Sequence, residues 1–371
     1  MLLRIPNFYD SFRCIADKCS DTCCIGWEID IDENSLKRYA SIKGNFGDQL
    51  RQNLEDGHFK LLKGDRCPFL RQDGLCDMIC HLGESSLCDI CREHPRFVEV
   101  YGDIMERGIG LCCEEAVRLL LTAEGTATSP IAFVEREIND EPDEIPDDAL
   151  EARDAIFIER EHLFKILADH ARPLNERLIE MMDYAVETSG IEFCEPSDKP
   201  GCNISNNILQ SWIDILGKGE SFGPAWDYAY KELSQIAHTN SNGSGSIGQS
   251  VGLNSDHATQ SLFSDSDGEK IIAYLLFRYY AKSLFDGNSL TKVQFALYFW
   301  ITLQKFGKIF AKTAEMPLTA TPANILTEKI AAIKILSKQT EYSEEIMGFL
   351  EEEFIKNPLF SPEKFKKILM A

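Results

Sequence analysis

The chain has 371 residues, enough for two or three domains of roughly 100–200 residues each. Apolar residues make up 44% and charged residues 26%, near the averages for globular chains, which excludes a fibrous, collagen-like or wholly disordered protein. Thirty-eight basic against 60 acidic side chains leave a formal charge of −22, which repels phosphate backbones and anionic lipid and argues against nucleic-acid or membrane partners.

In chain order, the N-terminus (Met1-Leu2-Leu3-Arg4-Ile5-Pro6) has no long apolar run and does not read as a signal peptide. Trp27-Glu28-Ile29-Asp30-Ile31-Asp32 alternates like a short extended strand, and Glu33–Ile42 and Asp48–Glu55 read as short helices. Arg66-Cys67-Pro68-Phe69-Leu70 followed by Asp73-Gly74 predicts a loop and turn. Glu114 and Glu115 ahead of Val117, Leu119, Leu120 and Leu121 mark a helix start. Cys112 and Cys113 are therefore expected just before a helix N-terminus, where thiolates are stabilised.

Between Glu137 and Glu151, eight acidic residues and two prolines predict a solvated connector. Leu174, Leu178, Met181, Met182 and Ala185 form the stripe of an amphipathic helix, which Pro173 separates from an earlier helix around Leu163, Ile166 and Leu167. Residues 238–268 collapse into Ser, Asn, Gly and Asp and predict a flexible linker. Its Gly243-Ser-Gly245-Ser-Ile-Gly248 matches a dinucleotide fingerprint in form only, without the strand before or the helix after it. Three apolar helices are expected near Glu269–Phe285, Leu290–Lys312 and Ala323–Leu336, with a charged helix from Tyr342. The most apolar run, Val293–Leu303, is far short of the roughly 20 residues of a membrane span, so the expected compartment is the cytoplasm.

Eleven of the 13 cysteines fall at or before Cys113. That is too dense for incidental buried thiols, and in a reducing cytoplasm clustered thiols are metal ligands or redox groups. Cys194 and Cys202, far away and flanking a Pro/Gly loop, read as incidental. Cys88-x2-Cys91-x2-His94 hints at zinc, while the irregular spacing of the whole set suits the four thiolates of an iron–sulfur cluster. Thiol counting leaves both open. The spacing Cys-x3-Cys-x2-Cys of radical S-adenosylmethionine enzymes is missing, as are a Walker loop, a G-x-S-x-G elbow, HExxH and an EF-hand.

The series Cys14-x4-Cys19-x2-Thr22-Cys23-Cys24-x-Gly26-Trp27, Arg66-Cys67-Pro68-Phe69-Leu70, Gly74-Leu75-Cys76, Leu82-Gly83-Glu84, Leu87-Cys88-x2-Cys91-Arg92-x2-Pro95-Arg96 and Cys113-x-Glu115-Ala116 resembles the flagellin lysine-N-methylases (FliB). The likeness covers about the first 120 residues; beyond it Arg177-Leu178 and Ser337-x3-Glu341-x-Ser343 are looser matches. Cys112 stands where the family usually has serine, and Cys80 lies outside the pattern, so both are weaker ligand candidates. The resemblance implies methyl transfer from S-adenosylmethionine to lysine ε-amines of flagellin, in an enzyme carrying a [4Fe-4S] cluster. The ligands would come from Cys14, Cys19, Cys23, Cys24, Cys67, Cys76, Cys88, Cys91 and Cys113.

Among these, Cys88 and Cys91 can face one centre from one turn, and Pro68 holds Cys67 extended. Adjacent Cys23 and Cys24 are expected to diverge, so that only one of them ligates. A related group of small zinc- or iron-chelating proteins shares the CC and RCPFL elements, which keeps a metal-binding or electron-transfer protein without methylase activity as the alternative. The expected fold is mainly α: a cysteine-rich, irregular metal-binding part (1–122), a helical domain in two stretches (123–237 and 269–371) around the linker, and no Rossmann sheet.

Overall fold

A computed structural model describes residues 1–26, 28–190, 204–241, 261–313 and 322–370. Trp27, Cys194, Cys202 and the Gly243–Gly248 stretch lie outside the described residues. The chain opens with β1 (Leu2–Pro6) and an irregular cysteine-bearing loop. There follow α1 (Glu33–Ser41), α2 (Asn45–Gln52), the small hairpin β2 (Leu54–Glu55) and β3 (His58–Phe59), α3 (Asp77–Leu82) and α4 (Asp89–Glu93). Next come β4 (Arg96–Tyr101), β5 (Ile104–Ile109), α5 (Glu114–Thr122) and β6 (Phe133–Glu137). The rest is helical: α6 (Asp147–Leu167), α7 (Leu174–Ser189), α8 (Ile204–Leu216), α9 (Pro224–Ser241), α10 (Asp265–Tyr279), α11 (Ser283–Asp286), α12 (Ser289–Thr313), α13 (Pro322–Thr340), α14 (Glu344–Lys356) and α15 (Pro362–Met370). The fold is mainly α and contains no Rossmann sheet among the described residues.

The expected alternation before α1 is real: Ile29 and Ile31 are buried while Glu28 and Asp30 are exposed, and Asp30 bridges to His58. A four-stranded sheet, ordered β4-β5-β1-β6, was not foreseen. β1 runs parallel to β5 (Leu2 beside Ile104) and antiparallel to β6 (Leu2 beside Glu137). Gly102, at φ 70°, makes the tight β4–β5 turn that a residue with a Cβ adopts only at a cost.

Two cores result. The larger joins Phe8, Phe12, Ile109, Leu111 and α5 to the helices, so the strands and α5 pack with the helical body. The smaller is built from Ile29, Ile31, Tyr39, Leu50, Phe59, Phe69 and Met78 with Cys67 and Cys88, and defines a module between β1 and β4. At the linker, α9 continues to Ser241, and α10 begins at Asp265 because Ser264 and Asp267 form a capping box that starts the helix ahead of its first apolar residues. No helix among the described residues is long and apolar enough to cross a membrane.

Candidate metal centre

Short elements aim the module's thiols at one another. The RCPFL loop is closed by Arg66, whose guanidinium donates to the carbonyls of Leu70 (2.9 Å) and Arg71 (2.7 Å). Cys67 N–H donates to the Cys24 carbonyl at 2.9 Å, which ties the CC turn to that loop. Cys76 and Cys88 stand at the N-caps of α3 and α4, and Cys91 lies within the single turn of α4. Asp32 caps two helices at once: Oδ1 accepts from Ser35 N–H (2.8 Å) at the start of α1, and Oδ2 from Asp89 N–H (3.0 Å) beside Cys88. Cys67 and Cys88 are buried, and Cys24, Cys76 and Cys91 pack against the same small core.

The protonation of these thiols is uneven. A hydrogen bond from Cys91 lowers the Cys88 thiol to about 7 against the cost of burial, and Tyr39 also helps. Cys24 is likewise lowered to about 7, chiefly by a hydrogen bond from Cys23, with Thr22 and Arg66 assisting. Burial pushes Cys67 up to about 12 and raises Cys76, and Cys91 is raised well beyond its usual range by giving its proton to Cys88 and by burial.

Cys23 and Cys24 occupy a turn rather than extended backbone, and their thiols touch instead of diverging. Their surroundings nevertheless differ. Cys24 is an electrostatic neighbour of Cys67, Cys76 and Cys91, whereas Cys23 neighbours Cys14 and Cys113. Cys113, the N-cap of α5, in turn feels Cys19 and Cys14. Of the nine candidates, Cys24, Cys67, Cys76, Cys88 and Cys91 line or adjoin the module core, while Cys14, Cys19, Cys23 and Cys113 lie outside it along the seam with α5, Cys23 joined to Cys24 by a hydrogen bond.

The seam is anchored by charge. Glu114 Oε2 accepts from Cys19 Sγ (3.7 Å), Ser20 N–H (2.9 Å) and Ser20 Oγ (2.5 Å). Lys334 on α13 donates to Ser20 Oγ at 3.1 Å, and Lys338 pairs with Asp21. The expectation of stabilised thiolates at Cys112 and Cys113 is overturned: burial raises them to about 12 and about 11. For Cys113, desolvation outweighs the N–H groups of Glu115 and Ala116 at the helix start. Cys112 is buried and hydrogen-bonds Tyr342, while Cys80 is exposed one turn after Cys76.

Comparison with curated proteins settles the kinship. The Lysine-N-methylase of Salmonella typhimurium is 28% identical over 152 residues, 37% of each chain, and that of Salmonella choleraesuis gives the same figures. The flagellar biosynthetic protein FliU of Salmonella muenchen is 31% identical over 126 residues, covering 31% of this chain and 75% of that protein. The chain belongs to the FliB-like family. The match spans just over a third of the length of the two lysine-N-methylases. No protein-family model and no solved structure matches the chain.

In this FliB-like chain, sequence reading missed the polar cluster behind the seam. Arg278 on α10 pairs with fully buried Glu341 (2.7 Å) and lies over the rings of Phe97, Tyr279 and Tyr342. Tyr279 Oη also donates to Glu341 at 3.1 Å. Gly110 makes room for this cluster, since a Cβ there would stand 1.7 Å from Tyr342 Oη. The available signal was Arg278-Tyr279-Tyr280 interrupting an apolar helix. His94 packs edge-on to Tyr342, a helical-body residue, at 6.1 Å between centroids. Of the looser matches, Arg177 is buried in an ion pair with Glu269 (2.8 Å), and Ser343 caps α14.

Proposed function

We propose that this chain transfers methyl groups from S-adenosylmethionine to lysine ε-amines of flagellin, and that its module thiols hold a [4Fe-4S] cluster. The observation that carries the methyl transfer is the likeness to two relatives named Lysine-N-methylase. The relative named as a flagellar biosynthetic protein supports a flagellar substrate. Eleven free cysteines among the described residues suit a reducing compartment, and we assign the protein to the cytoplasm.

The donor set suits a thiophilic centre, because Cys24, Cys67, Cys76, Cys88 and Cys91 all line or adjoin the small core of the module. A single zinc with Zn–S of about 2.3 Å brings its sulfurs to about 3.8 Å of one another. Among the described residues no three thiols lie mutually within 4.8 Å, a wider setting that favours a polynuclear cluster over one ion. When bound, the cluster would supply a rigid, multiply anchored core for the module.

The methyl donor is not matched to a site. A cavity of about 190 Å³ between α12 and α14, lined by Tyr279, Phe295, Leu350 and Phe354 with Lys292 paired to Asp286 and Glu351, is smaller than the roughly 300–1,000 Å³ of a cofactor pocket. No step is routed through it. An acceptor lysine, with a free pKa of about 10.4, must lose its proton before attack. The chain's charge of −22 attracts that cationic side chain.

The test is incubation of purified protein with flagellin and S-adenosylmethionine under anaerobic conditions, read by intact mass. Increments of about 14 Da per methyl are expected on flagellin. An unchanged mass would overturn the methylase reading and favour a metal-binding or electron-transfer role.

A further inference from the structure

We propose that Glu28, Asp30 and His58 form a site for a first-row divalent cation on the outer face of the module, separate from its thiols. The inference goes beyond methyl transfer and does not depend on the thiol centre. It starts from a chelating geometry. One donor atom from each of the three residues lies within 4.8 Å of the other two, the only such group of three among the described residues.

The local fold places these donors together. Glu28 and Asp30 alternate with Ile29 and Ile31, so the isoleucines enter the small core while both carboxylates share the exposed face. Asp30 bridges to His58 across the two segments. Ile31 N–H donates to the Gly57 carbonyl at 2.9 Å, and Phe59 N–H to the Ile29 carbonyl at 3.4 Å. Phe59 is buried in the same core as the isoleucines, so both donor-bearing segments are anchored from beneath. Donors carried on paired, packed backbone hold their positions before an ion arrives.

The distances and charges suit an ion. His58 Nδ1 stands 2.8 Å from Asp30 Oδ1 and 3.0 Å from Glu28 Oε1. A ring nitrogen carries at most one hydrogen, so a proton there serves one carboxylate and leaves the other unrelieved. Among the described residues no lysine or arginine pairs with either carboxylate. A dication answers both at once. At metal–donor lengths of about 2.1 Å, adjacent donors of an octahedral ion stand about 3.0 Å apart, which matches both separations. One imidazole and two carboxylates form a set suited to manganese(II), iron(II) or zinc, in contrast to the soft thiols inside the module. The carboxylates are exposed, which leaves the remaining coordination positions to water. Bound there, the cation ties the segment that follows Cys24 to the β2–β3 hairpin.

The test is titration of the anaerobically purified 371-residue holoprotein with manganese(II), followed by electron paramagnetic resonance of the free aqueous ion. Electron spin echo modulation of the bound ion reads whether a histidine nitrogen coordinates it. His58→Gln and Asp30→Asn are compared with wild type and with Glu141→Gln/Glu144→Gln, which removes two exposed charges from the acidic connector. Wild type is expected to bind one manganese per chain with nitrogen modulation. His58→Gln should abolish the modulation, and both site variants should weaken binding about tenfold or more. The connector variant should bind as wild type does. Far-ultraviolet circular dichroism checks folding, and Asp30→Asn decides should His58→Gln misfold. Binding that lacks nitrogen modulation, that survives both site variants, or that falls equally in the connector variant would be diffuse attraction to an acidic chain and would overturn the proposal, as would no saturable binding. Neither flagellin nor iron is read, so failure of the methylase or cluster reading leaves this result standing.

Discussion

The module and the helical body hold themselves together by different means. The body buries Trp212, Tyr274, Tyr298, Phe299 and Phe306 in one continuous core and can therefore afford enclosed ion pairs such as Arg160–Glu106 and Arg278–Glu341. The module has elements of two to nine residues and a core of ten buried residues, two of them cysteines. A core of that size encloses less apolar surface than the body's, and the metal centre proposed above would supplement it.

That contrast can be broken most directly by stripping metal with a chelator under reducing conditions and following hydrogen exchange. Amides of residues 28–94 should lose most of their protection, because metal binding supplies roughly 10 kcal/mol or more in thiolate modules. Amides of α10 and α12 should stay protected. Uniform retention across both regions would show that the module folds without metal.

The next effect belongs to the body. Arg160→Met removes the buried guanidinium from Glu106 (Nη1 to Oε2, 2.8 Å), leaving that carboxylate only Arg4 at 3.8 Å, and should cost about 3 kcal/mol in urea denaturation. The double variant Arg160→Met/Glu106→Leu should recover most of that loss, with metal content unchanged throughout. A loss of metal in the double variant would mean that the two regions are energetically one.

A pH titration addresses the contact between them. Burial first, then Lys338 and Arg278, lowers His94 to about 4, below its unfolded value of about 6.5. A depressed histidine contributes stability that is fully present above pH 6.5 and is lost as pH falls toward 4, because only the unfolded chain binds the proton in that window. His94→Gln should flatten this acid limb in thermal melts, and an unaltered limb would assign it elsewhere.

The smallest expected effects set one chemistry in both regions. Asp32→Ala and Ser264→Ala each remove an N-cap and should each cost about 1 kcal/mol. Only Asp32→Ala should also weaken metal retention, since Asp32 holds the turn that carries Cys88 and Cys91. Equal metal loss in both would deny the module its separate status.

Local features were legible wherever a few neighbouring residues decide the outcome. Ile29 and Ile31 turned inward by simple alternation, Glu114 and Glu115 opened α5, and the Leu174–Ala185 stripe became the buried face of α7. The hairpin Arg96–Ile109 carries its own local signal, a Tyr101-Gly102-Asp103 turn between its two strands. The pairing of β1 with β5 had no local signal, because its partners stand about a hundred residues apart.

From sequence alone came the mainly α class, the family resemblance, the supply of thiols and the start of α5 after Cys113, since each depends on residue type within a few positions. Only the tertiary structure decided which thiols join the module core, that Cys23 and Cys24 touch within a turn, and that burial outweighs the helix N-terminus at Cys113. It likewise decided that Glu106, Glu269 and Glu341 each meet a buried arginine. Those outcomes depend on distance and desolvation between segments far apart in the chain, which neither periodicity nor spacing encodes.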